Sequence, residues 1–323
     1  MVGLALSGGG TKGSYHVGVY LALVRSKIKL DGIAGTSIGA FTAAAIVSNN
    51  ADELYTFWET ADLRKILASD NNDSVVKSAI KNMGIKLDFL KEEANRIIDE
   101  NVIRQSKMDF GLVTVRARDF QPLYLFKDDI PLGKLIDYVT ASSFLPIFKK
   151  EEIDNDNYLD GGFKDSLPYK MLLKKGYTKV YASDVTRLGF PKKFKDDRVI
   201  KIIPSRKTGF MLTTNNDKMV DNMKMGYYDT LKVLKKLDGF VYTFSDKRIW
   251  IYDMLVKKVS CEELDKLYKK HRVKNNKELI IKIIEYYFKK EKKDYNKIYS
   301  PIIELNKLKK KYNDDLLNKL TFI

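Results

Sequence analysis

A serine between two glycines, in Gly35-Thr36-Ser37-Ile38-Gly39, constrains the fold of this chain more than any other stretch. The apolar pair Ile33-Ala34 precedes it and the small and apolar residues 40–47 follow it, which predicts a buried strand, a tight turn and a closely packed helix. In a nucleophile elbow, glycines at this spacing permit the turn and place the serine hydroxyl at a helix N-terminus. Since short glycine patterns recur by chance, the motif alone leaves an incidental serine in a glycine-rich turn open.

A second glycine-rich stretch, Gly8-Gly9-Gly10-Thr11-Lys12-Gly13, follows the first predicted strand and precedes a helix predicted at about 14–26. Three consecutive glycines before a helix expose backbone N–H groups, and such a loop can bind an anion. One interpretation is an oxyanion hole, in which the amides of Gly9, Gly10 and Thr11 stabilise a tetrahedral intermediate.

The same loop also fits a dinucleotide-binding fingerprint. Gly8-x-Gly10-x-x-Gly13 matches that pattern, and Asp31 lies about 20 residues further on. This alternative leaves the serine motif unexplained. It also needs an acidic residue at the end of the second strand, whereas Asp31 is predicted to begin one.

Strands alternating with helices predict an α/β layered sheet over roughly the first two thirds of the chain. A helical insertion is predicted at about 49–106, and the first helix is expected to bury Val17, Tyr20, Leu21 and Val24. Strand patterns, the first two forming a hairpin, lie at 110–118, 122–126, 179–185 and 198–203, and a helix is predicted at 132–143.

An aspartate followed by two glycines, Asp160-Gly161-Gly162, ends another predicted strand. An aspartate in a tight turn is common, so a purely structural role is one interpretation. The other is a general base placed where the backbone can approach Ser37 closely.

The chain offers Ser37 few alternative bases. His271 lies between two basic residues in the C-terminal helices, where a solvated surface position is expected. His16 lies one turn into the first helix, where a histidine packed near the sheet is expected. A Ser-His-Asp triad therefore lacks a good histidine, and Asp160 is the best-placed partner for a Ser–Asp dyad.

The C-terminal third differs in composition and carries most of the net charge of +16. Residues 1–204 have 30 Lys and Arg against 26 Asp and Glu, whereas 205–323 have 28 against 16. From Lys218 on, successive amphipathic helices are predicted, with helix N-caps at Ser260 and Asn275. We expect a domain at 1–204 and a basic, mostly helical region at 205–323, with no nucleic-acid partner; solvated charge is the simplest account of its basicity.

Other sequence features set the expected environment. No cleaved signal pattern precedes the first strand, and no apolar stretch approaches the ~20 residues that span a bilayer. Cys261 is the only cysteine, which excludes an internal disulfide, and no metal-ligand spacing is present. We expect a cytoplasmic protein; export without a cleaved signal and peripheral membrane association stay open.

Taken together in this order, the motifs resemble those of the patatin-like phospholipase family. The match comprises the glycine loop at 8–13, the elbow around Ser37 and the Asp160-Gly161-Gly162 motif with Pro168 after it. The segment from Ala141-Ser142 to Phe148 also resembles the one that usually precedes the aspartate motif. The resemblance covers residues 2 to about 204 and does not extend to the basic C-terminal region.

The resemblance implies a three-layer α/β/α sandwich with a mainly parallel central sheet. It implies that Ser37 is the nucleophile, Asp160 its base and the glycine loop the oxyanion hole, with an acyl-enzyme intermediate and no metal or cofactor. The implied substrates are phospholipids or lysophospholipids, cleaved at a fatty-acyl ester.

A protein of a different class remains an alternative. The basic C-terminal region would suit contact with an anionic membrane, with Lys-rich faces interleaved with aromatic residues as in Tyr286-Tyr287-Phe288-Lys289-Lys290. A membrane- or lipid-binding protein with a vestigial or regulatory hydrolase site would share this feature.

Overall fold

The structure, a computed structural model, describes residues 1–61, 88–143, 152–186, 196–245 and 248–321. Met1–Asp229 form one compact unit and Thr230–Ile323 form a second. Two predictions fall partly or wholly outside the described residues: positions 62–87 of the helical insertion, and the segment from Phe144 to Phe148.

A mixed sheet organises the first unit. Its strands among the described residues are β1 (Val2–Leu6), β2 (Gly32–Thr36), β3 (Asp109–Arg116), β4 (Gln121–Phe126), β5 (Glu152–Ile153), β6 (Asp156–Asp160), β7 (Lys179–Ser183) and β8 (Val199–Ile202). β1 pairs with β2 on one side and β7 on the other, β3 pairs with β2, and β8 pairs with β7; all four pairings are parallel. β3–β4, β3–β6 and β5–β6 are antiparallel. The expected α/β fold with a mainly parallel central sheet is confirmed.

Helices connect these strands. In the described part of the first unit they are α1 (Ser14–Arg25), α2 (Ile38–Val47), α3 (Ala51–Thr60), α4 (Asp88–Ile97), α5 (Glu100–Gln105), α6 (Leu135–Ala141), α7 (Tyr169–Lys174) and α8 (Asn216–Val233), whose last turn belongs to the second unit. Short 3₁₀ turns occur at Gly10–Gly13, Lys127–Asp129 and Gly161–Phe163.

The central strands are buried on both faces. Leu4 and Ala5 point to opposite faces of β1, and both are fully buried. On one face, Ala5 and Ala34 pack with Met171 and Leu172 of α7. Burial on both faces is typical of a parallel sheet covered by helices, and it explains why these strands are apolar throughout.

The buried face of α1 differs from the one predicted. Only Val17 of the four predicted residues is fully buried, and Val24 is 47% exposed. The buried apolar residues of α1 are instead Tyr15, Val17, Val19, Ala22 and Leu23. The prediction is confirmed for Val17 and wrong for Val24, while Tyr20 and Leu21 are half-buried. Helical periodicity gives the spacing of a stripe but does not say which neighbours cover it.

One neighbour of α1 is α8, and the two helices approach closely at glycines. A Cβ on Gly18 would overlap the backbone oxygen of Met223, and a Cβ on Gly226 would overlap that of Tyr15. The Tyr15 hydroxyl also donates to Asp229 Oδ2 at 3.1 Å. Residues 205–229 therefore pack as part of the first unit.

The second unit is mainly helical. Its elements among the described residues are a two-stranded parallel sheet of β9 (Thr243–Phe244) and β10 (Ile298–Tyr299), and the helices α9 (Ile249–Leu255), α10 (Cys261–His271), α11 (Asn276–Lys290), α12 (Pro301–Lys311) and α13 (Asp315–Lys319). The predicted N-caps are confirmed, since Ser260 accepts from the amide of Glu263 at 3.2 Å and Asn275 from that of Glu278 at 2.9 Å. Within the described ranges, no helix is both long and apolar enough to cross a membrane.

Candidate active site

The site forms where two strands end against the same edge of β3. β2 pairs with β3 as far as Thr36 opposite Val113, and β6 pairs with β3 as far as Asp160 opposite Thr114. β4 occupies the other edge of β3 along both stretches, so β2 and β6 meet end to end. Ser37 follows β2 directly and Asp160 ends β6. The shared edge therefore brings the two residues together from positions far apart in sequence.

Ser37 has the backbone strain of a nucleophile elbow. Its φ of 57° and ψ of −130° lie in a region that non-glycine residues rarely occupy. It precedes α2 directly, and only 8% of its surface is exposed. The flanking glycines are required by packing, because a Cβ on Gly35 would overlap the carbonyl of Gly39, and one on Gly39 that of Leu6.

The glycine loop lies against this elbow. A Cβ on Gly8 would lie 3.3 Å from Ser37 Cβ, and one on Gly13 would lie 2.7 Å from Ile38 Cγ2. Gly9 and Gly10 have φ values of 151° and 58°, which glycine adopts without steric cost. Lys12 lies within the 3₁₀ turn Gly10–Gly13, which leads into α1.

The amides of the glycine loop divide into engaged and available donors. The Gly8 amide donates to Ser166 O at 3.0 Å, and the Thr11 amide donates to Met211 O at 2.8 Å. Among the described residues, no backbone oxygen accepts from the amides of Gly9 and Gly10. Gly9 and Gly10 therefore stay candidates for the predicted oxyanion donors.

Asp160 lies in a buried and partly hydrogen-bonded position. Only 5% of its surface is exposed, and this burial raises the pKa of its carboxyl, while hydrogen bonds from the Ser37 side chain and the Gly162 amide lower the pKa in part. The Gly162 amide donates to Asp160 Oδ1 at 2.7 Å. Gly161 has no room for a side chain, because a Cβ there would overlap the carbonyl of Val113.

His16 does not hydrogen bond to this pair of side chains. His16 is fully buried; its Nε2 lies 2.9 Å from Ser7 O and its Nδ1 2.8 Å from Ser183 Oγ. A carbonyl only accepts, so Nε2 carries the proton and Nδ1 accepts from Ser183. Burial lowers the pKa of His16 to about 4, so the ring is neutral at physiological pH. His271 ends α10 in the second unit. The expectation that His16 packs near the sheet is confirmed.

A cavity of about 400 Å³ lies beside the glycine loop, next to Ser166, whose backbone oxygen accepts from the Gly8 amide. Ser166 lines it, with the buried ion pair of Lys201 and Asp184, whose Nζ and Oδ2 are 3.0 Å apart. Lys164 and Lys170 also line it. Within the described ranges, no group of three or more His, Cys, Asp or Glu side chains is arranged to hold a metal ion.

Three contributors to the site were not predicted from the sequence. Met211 accepts from the glycine loop although it lies beyond the predicted boundary at residue 204. Ser166 supports Gly8, and Ser142 contacts the elbow. Ser142 had a signal, because it lies in the segment that the resemblance singled out. Met211 and Ser166 had none, because their contacts are made through backbone oxygens.

The fold and these residues define an α/β protein with a serine on a strand–helix elbow, a buried aspartate beside it and a glycine loop. A family model described as patatin-like phospholipase matches residues 4–173, more than half of the chain. The chain belongs to the patatin-like phospholipase family, which confirms the resemblance seen in the motifs.

Individual relatives are distant. The chain is 27% identical over 258 residues to Lysophospholipase NTE1 of Candida glabrata, covering 75% of this chain but 14% of that protein. It is 26% identical over 188 residues to the uncharacterized protein YjjU of Escherichia coli, covering 54% of this chain and 49% of that one. The crystal structure of VipD from Legionella pneumophila matches with a TM-score of 0.51 at 14% identity, covering 98% of this chain and 89% of VipD, and it supports the fold alone.

Proposed function

We propose that this protein is a lipid acyl hydrolase that cleaves fatty-acyl esters of phospholipids or lysophospholipids through Ser37 and Asp160. The observation that carries the proposal is the junction of β2 and β6, which brings the Ser37 side chain beside the buried Asp160 carboxyl, close enough to lower its pKa in part. The glycine loop packs directly against that serine.

In the proposed first half-reaction, Asp160 takes the proton from Ser37 Oγ as this oxygen attacks the ester carbonyl carbon. The carbonyl oxygen gains negative charge in the tetrahedral intermediate, and the amides of Gly9 and Gly10 donate to it. The intermediate then collapses. The C–O bond to the alcohol breaks, Asp160 returns its proton to the departing oxygen, and the acyl group stays on Ser37.

The second half-reaction repeats these steps with water. Asp160 accepts a proton from the water that attacks the acyl-enzyme, and Ser37 Oγ leaves as the alkoxide and recovers that proton. Fatty acid is released and the free serine is restored. No step requires a third side chain, which agrees with His16 bonding to Ser7 and Ser183 instead.

The environment of Asp160 suits a base that works without histidine. Burial raises the pKa of its carboxyl above that of a solvated aspartate, which strengthens it as a proton acceptor. The hydrogen-bonding influence of Ser37 and Gly162 acts in the opposite direction and favours its ionised form.

Family membership favours a lipid ester as substrate, and the name of the Candida glabrata relative favours a lysophospholipid among the choices. The present chain spans only a small part of that relative, so this preference is part of the proposal.

The test is fatty-acid release from vesicles of mixed phospholipid and lysophospholipid, comparing the wild type with Ser37→Ala. Labelling of Ser37 by a fluorophosphonate, which requires an activated serine, is measured alongside. We expect release and labelling by the wild type and neither by the variant. Normal release by folded Ser37→Ala would contradict the proposal. No release and no labelling by the wild type, with vesicle binding retained, would favour the lipid-binding alternative.

A further inference from the structure

The junction of β2 and β6 leaves one backbone group of the elbow and one of β3 without a partner in the sheet ladder. The pairing of β2 with β3 ends at Thr36 opposite Val113, and that of β6 begins one residue further along β3. Ser37 turns away from the sheet at this point. Its amide and the carbonyl of Val113 both lie in the buried gap between the two strand ends.

The side chain of Ser142 fills this gap. Ser142 follows α6 directly and is fully buried. Its Oγ accepts from the Ser37 amide at 2.8 Å and donates to Val113 O at 2.6 Å. A hydroxyl has one proton and two lone pairs, so a single Ser142 Oγ satisfies both groups.

The backbone of Ser142 contacts the other half of the site. Its carbonyl accepts from the Gly161 amide at 3.2 Å, and Gly161 is the residue after Asp160. One residue thus bonds to the nucleophile's backbone, to β3 and to the loop that carries the proposed base.

This arrangement fixes how far Ser37 lies from β3. Without the hydroxyl, the Ser37 amide and the Val113 carbonyl would be buried and unpaired, which is costly. They could pair with each other only if the elbow moved toward β3, and Ser37 Oγ would move with it. Ser37 already has an unfavourable φ of 57°, so its position depends on such contacts.

We infer that Ser142 is a positioning residue for the proposed dyad. Its hydroxyl lies between the elbow and β3, hydrogen bonds to both, and so sets the position of Ser37 Oγ relative to Asp160. The inference rests on the proposed function and adds a residue to it. It also assigns the Ser37 amide to the support of the elbow, which leaves oxyanion binding to the glycine loop.

The neighbouring residue supplies a matched control. Ser143 lies in the same turn and is also buried, with 7% of its surface exposed. Its Oγ has no hydrogen-bond partner among the described residues. Ser143→Ala therefore removes an equivalent buried hydroxyl one position away without removing a contact to the elbow.

The experiment measures the rate of fluorophosphonate labelling of Ser37, and kcat and KM for lysophospholipid hydrolysis, in Ser142→Ala and Ser143→Ala. We expect Ser142→Ala to lower the labelling rate and kcat by ~10- to 100-fold, because a displaced nucleophile loses alignment. KM and every parameter of Ser143→Ala should stay within about twofold of the wild type. Circular dichroism at the assay temperature establishes that each variant is folded.

Ser142→Cys keeps the inference testable if the alanine variant does not fold. A thiol has nearly the same shape but forms only weak hydrogen bonds, so we expect slower labelling by folded protein. If the wild type is labelled and folded Ser142→Ala or Ser142→Cys is labelled at an equal rate, the inference about Ser142 is overturned while the proposed function stands. Equal losses of labelling in the Ser142 and Ser143 variants would overturn the inference in the same way. Failure of the wild type to label would instead overturn the proposed function and this inference with it.

Discussion

The two compact units differ in their use of glycine and of charge. The first unit, Met1–Asp229, contains 18 of the 19 glycines and has 34 Lys and Arg against 29 Asp and Glu. The second, Thr230–Ile323, contains only Gly239 and has 24 Lys and Arg against 13 Asp and Glu, a net charge of +11. All residues of the candidate active site lie in the first unit.

The difference reflects two ways of building a compact unit. In the first unit, backbone segments approach too closely for a side chain to fit at Gly10, Gly35, Gly39 and Gly161, and these close approaches create the site. In the second, amphipathic helices pack around a core of large apolar side chains and need few close backbone approaches. We therefore expect chemistry to depend on the first unit, and any attraction to anionic surfaces to depend on the second.

The largest expected effect is that of Asp160→Asn, which keeps the shape of the side chain but removes the proposed base. Hydrolysis should fall by at least ~10³-fold, as when one member of a catalytic group is lost. In the wild type, kcat/KM should fall on acidification through a pKa above the usual ~3.9 of aspartate. Both are measured as initial rates of fatty-acid release across pH.

Asp165→Asn is the matched control for that variant. Asp165 lies in the same loop, and its pKa is also raised by burial, but it accepts from the Leu167 amide and not from Ser37. Its loss should cost less than ~10-fold, since it is absent from the proposed proton transfer. Equal losses in the two variants would show that Asp160 acts only through the fold.

A smaller loss is expected from Gly10→Ala. Gly10 has a φ of 58°, and a Cβ there would overlap the carbonyl of Met211, so the loop and its amides must shift. We expect a loss of ~10²–10³ in kcat, comparable to losing one oxyanion donor. Gly133→Ala is the control, because Gly133 has a φ of 77° but open space around its Cβ position. Its variant should lose ~1 kcal/mol of stability and keep its activity; a similar loss of activity in both would argue against the oxyanion role.

His16 should make the stability of the first unit depend on pH. Its pKa is about 4 in the folded protein and ~6.5 unfolded, so its neutral form stabilises the fold above pH ~6.5 and this contribution is lost as pH falls toward 4. The loss should reach ~3 kcal/mol once pH is below both values. His16→Gln should remove this component of the pH dependence, and an unchanged slope would contradict the assignment.

The two tryptophans allow this effect to be assigned to a unit. Trp58 is buried in the first unit, whereas Trp250 in the second is 59% exposed. In a Trp250→Phe background, denaturant unfolding followed by tryptophan fluorescence reports on Trp58 alone. The pH-dependent loss should appear in that signal.

Glu285 offers a comparable perturbation in the second unit. Its Oε1 accepts from the amides of Phe240, Val241 and Tyr242 at 2.8, 2.7 and 3.0 Å, inside a buried position. Glu285→Ala should lower thermal stability by ~2 kcal/mol, while Glu285→Gln, which keeps an acceptor oxygen, should lower it less. Fluorophosphonate labelling of Ser37 should stay within about twofold in both variants. A large loss of labelling in a folded variant would break the proposed division between the units.

The smallest expected effect concerns anionic membranes. If the charge of the second unit attracts them, Lys289→Glu/Lys290→Glu should weaken sedimentation with anionic vesicles by ~1 kcal/mol per lysine at low salt, and added salt should weaken it further. Lys27→Glu/Lys29→Glu changes the net charge equally on exposed lysines of the first unit and should have less effect. Binding that is insensitive to anionic lipid content and to salt would exclude this role.

Local features of the chain were predictable from sequence because neighbouring residues determine them. The hairpin of β3 and β4, the strands β7 and β8 and the N-caps at Ser260 and Asn275 all follow from patterns within a few residues. The elbow at Ser37 was predictable for the same reason, since its two glycines are required by the turn itself. The catalytic roles of Ser37 and Asp160 remain predictions.

Contacts between distant segments were not predictable in this way. The face that α1 buries depends on α8, about 200 residues later in the chain, through the close approach of Gly18 and Gly226. The support of the glycine loop by Met211 is made through a backbone oxygen, so no residue type signals it.

The sequence by itself determined the kinds of chemistry available: a serine on a strained turn, an aspartate before two glycines, and a loop whose amides no side chain covers. Only the tertiary structure decided which of these groups meet. β2 and β6 end on the same edge of β3, which brings Ser37 close to Asp160, and Ser142 Oγ joins the Ser37 amide to the Val113 carbonyl where the two strands end. The physical reason is that backbone strain and helix capping are local, whereas strand pairing and burial join residues more than 100 positions apart.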